Sequence, residues 1–248
     1  MKKLGLAVAT KDAALLENKG LMDQLIASQL PTVIVNQSIT GRLMPVEGFG
    51  PNTQVFNVEE LGLSKSRNKA FAALDTDFVM LCDDDVELVN PDFSDLIACL
   101  PADAAMVFTP LLTLEGKPWR SNYQQTSYSI KGTSFGVRRK IQKINSMEQI
   151  FNREFFVEHS LSFDEAFGLG SGRYPMGEDT LMSFSILKGG GKLTFLPIPT
   201  RMHPPGSSGA SLTPEKYPAI AAIHRKVFSP FGWLMYLAFR LKKRVFPG

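Results

Sequence analysis

The run Phe78-Val79-Met80-Leu81-Cys82-Asp83-Asp84-Asp85 restricts the folds open to this chain more than any other stretch. Five consecutive apolar residues show no alternation, so they suit a strand covered on both faces, as in parallel sheets with helices above and below. Three carboxylates follow at once. Side chains alternate along a strand, so Asp83 and Asp85 are expected on the same side. A hard divalent cation, Mg²⁺ or Mn²⁺, relieves the repulsion of such a pair because it takes oxygen ligands. A bare acidic triplet also reads as a solvated turn. Its place at the carboxyl end of a buried strand favours a site, since open α/β sheets bind ligands there.

The surrounding pattern agrees. Ser64 is a candidate helix cap, and Ser66 to Ala73 are mostly good helix formers. Asp75-Thr76-Asp77 is a turn cluster. Upstream, Leu4–Ala9 reads as a strand, Ala13–Gln29 as a helix weakened at Gly20, Thr32–Val35 as a second strand and Val55–Val58 as a third. This βαβ rhythm predicts a parallel sheet with right-handed crossovers. Downstream, Phe93–Leu100 reads as a helix and Ala104–Thr109 as a strand. Residues 131–140 read as a loop, and Ser146–Val157 as a strand passing into a helix near Asn152. Trp119, Tyr123 and Tyr128 are either a sugar-stacking surface or ordinary packing.

A second block, FDEAFGLGSGRYPMGEDTLMSFSILK, spans residues 163–188. A loop rich in glycine (Gly168, Gly170, Gly172) leads to Gly177-Glu178-Asp179. A helix follows, Gly189-Gly190-Gly191 stops it, and Lys192–Leu196 is the next strand. His203 lies beyond. Acidic residues commonly cap helices, and that is the plain reading of Glu178-Asp179. The helix dipole would lower the pKa of Asp179 and a neighbouring carboxylate would raise it; the sequence leaves the balance open.

Taken together, Gly62-Leu63-Ser64-Lys65-Ser66-Arg67-Asn68, the triplet Asp83-Asp84-Asp85, the Phe163-Asp164-Glu165 to Gly177-Glu178-Asp179 block and His203 resemble the family 2 glycosyltransferases. That resemblance implies the GT-A fold, an α/β domain whose mostly parallel central sheet is flanked by helices, over residues 1–212. It implies a metal-dependent, inverting transfer of a sugar from a nucleotide-sugar donor, with a UDP-sugar favoured, to a hydroxyl of a glycan or lipid-linked glycan in surface polysaccharide synthesis. Asp179 would be the catalytic base, with Glu178 beside it. Thr10, Asn36, Gln37, Leu63, Arg67, Asp83 and Asp84 would bind the nucleotide sugar. Asp83, Asp85 and His203 would hold Mn²⁺ or Mg²⁺. The second strand of the family usually ends in acidic residues, where this chain has Asn36-Gln37-Ser38, so the base identity stays open. Arg67 is expected to meet a phosphate or to pair with an aspartate of the triplet. Gly206-Ser207-Ser208-Gly209 reads as a flexible lid over the donor.

Charge separates the carboxyl end from the rest. Of the formal +3 over 248 residues, residues 215–248 carry seven Lys/Arg against one Glu, which leaves the remainder near −3. A nucleic-acid-binding core is therefore not indicated. Cys82 and Cys99 have no metal-ligand spacing and read as buried free thiols of a reducing compartment. Residues 213–248 read as a helical tail. Phe231–Phe239 is almost wholly apolar, and Arg240, Lys242, Lys243 and Arg244 follow. The segment is too short for the ~30 Å hydrocarbon layer, so contact of residues 230–248 with a membrane surface is expected; packing on the domain or on a second subunit of a homodimer is the alternative. The implied location is cytoplasmic, peripheral on the inner face of the membrane. Two other functions compete. A sugar-phosphate nucleotidyltransferase would need a glycine-rich signature loop after the first strand, where only Thr10-Lys11-Asp12 stands. A decayed glycan-binding module would not need the intact acidic motifs.

Overall fold

The computed structural model describes residues 2–205 and 212–245. The segment read as a lid, 206–209, lies outside them.

The strands are β1 (Leu4–Lys11), β2 (Thr32–Gln37), β3 (Thr53–Val58), β4 (Phe78–Asp83), β5 (Glu87–Leu88), β6 (Met106–Phe108), β7 (Leu111–Thr113), β8 (Tyr128–Ile130), β9 (Gln149–Asn152), β10 (Leu193–Phe195) and β11 (Arg201–His203). The helices are α1 (Lys19–Ser28), α2 (Leu63–Ala73), α3 (Ser94–Cys99), α4 (Phe135–Ile141), α5 (Arg153–Glu158), α6 (Glu178–Lys188), α7 (Lys216–Val227) and α8 (Gly232–Val245).

Eight strands form the main sheet in the order β3-β2-β1-β4-β9-β6-β10-β8. The first four run parallel, as the βαβ rhythm predicts. β9 enters antiparallel between β4 and β6, and β8 closes the far edge antiparallel to β10. A second sheet, β5-β11-β7, sits at the carboxyl end of β4. Five of the six residues of β4 and seven of the eight of β1 are buried, which fits their unbroken apolar runs at the sheet centre. The core cluster continues through Phe71, Phe151, Phe156 and Phe163, whose rings meet edge-on, stacked or tilted at 4.7–6.3 Å.

Several local expectations are corrected. The helix expected over Ala13–Gln29 is a 3₁₀ turn, Ala14–Glu17, then α1, with Asn18 capping the break through Leu21 N–H. Ser64 does not cap α2; Gly62 precedes the helix, and the Ser64 hydroxyl donates to the carbonyl of Phe167 at 2.7 Å. Residues 131–140 are not all loop. Ser134 accepts from Val137 N–H, and α4 ends in Arg138, Arg139 and Lys140, cations that favour a helix carboxyl terminus. Cys82 is buried and burial pushes its thiol pKa up, but Cys99 is exposed. The segment after residue 213 divides in two: Ile223, Val227 and Phe228 enter the main core from α7, while α8 packs outside on α7.

Candidate active site

The parallel strands β1, β2 and β4 all end on one side of the sheet, and their last residues open into a cavity of ≈ 660 Å³. Thr10 and Lys11 come from β1, Gln37 from β2 and Asp83 from β4, with Asp84 and Asp85 from the turn that follows. The opposite wall is built by the distant block: Leu169, Pro175, Gly177, Glu178 and Asp179, with His203 at the end of β11. Nine residues expected at the site therefore line one cavity: Thr10, Gln37, Leu63, Asp83, Asp84, Asp85, Glu178, Asp179 and His203.

The three aspartates have three different partners. Asp83 lies 3.4 Å from Nη2 of Arg67. Asp84 accepts from the Thr10 hydroxyl at 2.6 Å, and that oxygen in turn accepts from Leu15 N–H. Asp85 lies 3.6 Å from Nε2 of His203. Burial, and then the neighbouring carboxylates, raise the pKa of Asp84. Burial first, then Asp83, also raises Asp85, against the pull of His203. Below them the guanidinium of Arg201 is fully buried and donates to the carbonyl of Leu81 at 2.6 Å, fastening the end of β4; burial lowers its pKa to about 10.

Arg67 and Asn36 are not in the cavity wall. Arg67 is buried at 2% exposure, and its Nη1 holds Oε1 of Glu178 at 2.9 Å. It takes the second of the two roles expected of it, pairing with the triplet, and adds a pairing with Glu178. Asn36 is spent on structure. Its Oδ1 accepts from Ala13 N–H, and its Nδ2 donates to the Arg42 carbonyl and to Asn57 Oδ1. Gln37 remains in the wall, its Oε1 accepting from Gly62 N–H at 2.8 Å.

Asp179 begins α6. Its Oδ1 accepts from Thr180 N–H at 2.6 Å, which lowers its pKa, yet burial and the charge of Glu178 prevail and push it up to about 7. The balance left open by the sequence falls on the raising side. Gly177, just before, has φ of +102°, and a Cβ there would lie 2.2 Å from Cδ1 of Ile223. Only glycine lets the chain turn into α6 while α7 packs against it.

Among the described residues, no three His, Cys, Asp or Glu side chains are gathered as a ready-made metal cage. The pair Asp85 and His203 fits a cation nonetheless. Nδ1 of His203 lies 2.7 Å from the Pro204 carbonyl, so it must carry the proton. In the neutral ring the lone pair is then on Nε2, on the side of Asp85. The carboxylate suits Mn²⁺ or Mg²⁺, and the imidazole beside it suits Mn²⁺ better than Mg²⁺, with substrate and water supplying the remaining ligands.

The sequence reading missed part of the wall. Asn145, Ser146 and Met147 line the cavity from the 3₁₀ turn Ser146–Glu148. Asn145 and Glu148 form a capping box, whose N-x-x-E spacing is visible in the sequence. The aromatic residues weighed as a sugar surface are not in this cavity. Trp119 packs edge-on against His203, with ring centroids 5.5 Å apart. Tyr123 and Tyr128 surround Phe195 in a separate cavity of ≈ 430 Å³, where the Tyr123 hydroxyl and Arg120 satisfy the buried Glu148.

Solved structures of S. aureus TarS share this architecture. TarS itself superimposes with a TM-score of 0.63 at 14% identity, over 92% of this chain. The fold is GT-A-like. TarS 1-349 in complex with UDP-GlcNAc gives the same TM-score at 15% identity, over 92% of this chain and 67% of that one. TarS 1-349 in complex with UDP gives 0.63 and 15% over 97% and 71%. The chain spans 40% of the length of the whole TarS structure. No protein-family model and no curated protein matches the sequence.

Proposed function

We propose that the protein is a nucleotide-sugar-dependent glycosyltransferase, with a glycan or lipid-linked glycan as acceptor. One observation carries the reading. A carboxylate poised near neutrality, Asp179, and the Asp85–His203 pair belong to motifs far apart in the chain and open into the same cavity at the carboxyl ends of parallel strands. The TarS complexes with UDP-GlcNAc and UDP support a uridine diphosphate sugar as donor.

The residues divide the work as follows. Asp85 and His203 would hold Mn²⁺ or Mg²⁺, which supplies Lewis-acid neutralisation of charge on the diphosphate. Asp179 accepts the proton of the acceptor hydroxyl as that oxygen attacks the anomeric carbon, the carbon's bond to the diphosphate oxygen breaks and the nucleoside diphosphate leaves, with inversion; its pKa near 7 suits both ionisation and proton capture. Arg67 keeps Glu178 and Asp83 in place, so the two motifs are registered by one buried cation. Thr10 orients Asp84, and Gln37, at the end of β2, would meet the base of the donor, as the family resemblance implies.

A thermal-shift screen of nucleotide sugars with and without Mn²⁺, followed by an assay of nucleoside diphosphate release, tests the proposal. UDP-sugars should stabilise the protein, and more so with the metal. Indifference to every nucleotide sugar would overturn it. No observation favours the nucleotidyltransferase reading: the turn after β1 carries Lys11 and no glycine-rich loop.

A further inference from the structure

The helix α8 has its apolar side turned outward. Phe231 just before it is 64% exposed and Trp233 is 61% exposed, and Leu234, Leu237 and Leu241 are exposed as well. Trp233, Leu237 and Leu241 recur at four-residue spacing, so they form one stripe along the helix. The other side is occupied. Tyr236 and Phe239 pack on His224, and Arg240 lies 4.3 Å over the ring of Tyr217, all against α7. Gly232 seats the start of α8 so closely on α7 that a Cβ would meet the His224 carbonyl at 2.3 Å. The outward stripe is therefore not the result of a loose helix; the helix is docked by its opposite side.

A second element joins this surface at the α7–α8 turn. α4 is fastened to the turn between α7 and α8: Nη1 of Arg138 donates to the carbonyls of Val227 at 2.9 Å and Ser229 at 3.3 Å. Phe135, itself 55% exposed, lies 5.5 Å from Phe228. α4 and the turn after it carry exposed Arg139, Lys140 and Lys143 as well, the last two on the rim of the ≈ 430 Å³ cavity, and Lys242 borders the stripe on α8. The sequence has no Asp or Glu between Glu115 and Glu148, and none after Glu215. An exposed apolar stripe on segments that carry cations and no acid is complementary to one kind of surface, an interface of acyl chains and anionic headgroups.

We infer that α8, Phe231 and α4 form one composite face that docks the protein on anionic lipid. The face extends beyond the carboxyl-terminal segment to residues nearly a hundred positions earlier. At fourteen residues, α8 is about 21 Å long by its rise, and no described helix is long and apolar enough to cross a membrane. The helix therefore lies in the interface. The inference stands apart from the proposed activity, since it uses none of the cavity residues. It nonetheless places the interface next to α7, whose Ile223 packs on Gly177 and whose Lys226 pairs with Asp164 at 2.9 Å.

Vesicle co-sedimentation of the full chain tests the proposal. Vesicles of phosphatidylcholine alone are compared with vesicles containing phosphatidylglycerol, with far-UV circular dichroism and size-exclusion chromatography as controls for folding and assembly. The expected result is binding to the anionic vesicles, weakened by salt, with a blue shift of tryptophan fluorescence that Trp233→Ser abolishes. Arg139→Glu and Phe135→Ser should each weaken binding at least about fivefold, the fold-change of about 1 kcal/mol. Binding that needs α8 but ignores both α4 variants would overturn the composite face. Equal binding to neutral vesicles would overturn the role of the cations. Absence of vesicle binding, together with a dimer that Trp233→Ser converts to monomer, would assign the face to a second copy of the chain instead.

Discussion

Nη1 of Arg67 lies 2.9 Å from Oε1 of Glu178, although 111 positions separate the two residues. The same guanidinium reaches Asp83 at 3.4 Å. A single buried cation thus ties the triplet after β4 to the first turn of α6. Removing it would strand a buried carboxylate. Arg67→Met is predicted to destabilise the protein by about 3–5 kcal/mol, the usual cost of breaking a buried pair on one side. Glu178→Gln, which keeps a hydrogen-bond acceptor for the guanidinium, should cost less. Denaturant unfolding of both variants and of the double variant checks the coupling; additive effects would show that the pair does not act as a unit.

The raised pKa of Asp179 has consequences for both rate and stability. The base must be ionised, so kcat/KM should climb through about pH 7 and level off above it. For stability the sign is set by proton binding. Between the unfolded value near 4 and the folded value near 7 the native state holds more protons, so stability contributed by this group falls as pH rises. Asp179→Asn should therefore melt higher than wild type at pH 8, with the gap closing toward pH 4, while transfer is lost. A lower melting temperature at pH 8 would contradict the buried, charge-strained carboxylate.

If Asp85 and His203 are the protein ligands, as proposed, a cation should bind weakly alone and tightly with a diphosphate. UDP should strengthen Mn²⁺ binding at least about tenfold, equivalent to about 1.4 kcal/mol. His203→Ala should remove that gain and leave the fold intact. Titration of Mn²⁺ followed by its paramagnetic signal, with and without UDP, measures both.

Gly177→Ala places a methyl group into Ile223 at a backbone φ of +102°. A loss of about 1–3 kcal/mol is expected from the conformation, with the steric clash in addition. Ile223→Ala should recover the steric part alone, so the double variant stays below the Ile223→Ala single variant in melting temperature. Full rescue would show that the backbone conformation is not the constraint.

The central sheet was legible because its strands are apolar without interruption. β1, β2 and β4 each declare themselves by composition and by the polar residues that end them, and those ends are where the cavity opens. The second acidic block was legible for the same reason, as a glycine-rich loop leading into a helix. What periodicity could not convey was pairing across the fold. Nothing local marks Asn36 as a residue whose amide is consumed by Ala13, Arg42 and Asn57, or Arg67 as a buried cation paired with Glu178 and Asp83. α4 was read as loop because two glycines and three cations mask a seven-residue helix that depends on its cap and on tertiary contacts with the α7–α8 turn. Short strands such as β5, β7 and β11 have too few residues to show a period at all.

Binding and chemistry should separate within the one cavity, with metal and diphosphate at Asp85 and proton transfer at Asp179. Calorimetric titration of UDP in the presence of Mn²⁺ into Asp85→Asn and Asp179→Asn, side by side with wild type, tests this directly. Asp179→Asn should bind UDP within about threefold of wild type, and Asp85→Asn should lose at least about tenfold. Wild-type affinity in Asp85→Asn, or loss in Asp179→Asn alone, would contradict it.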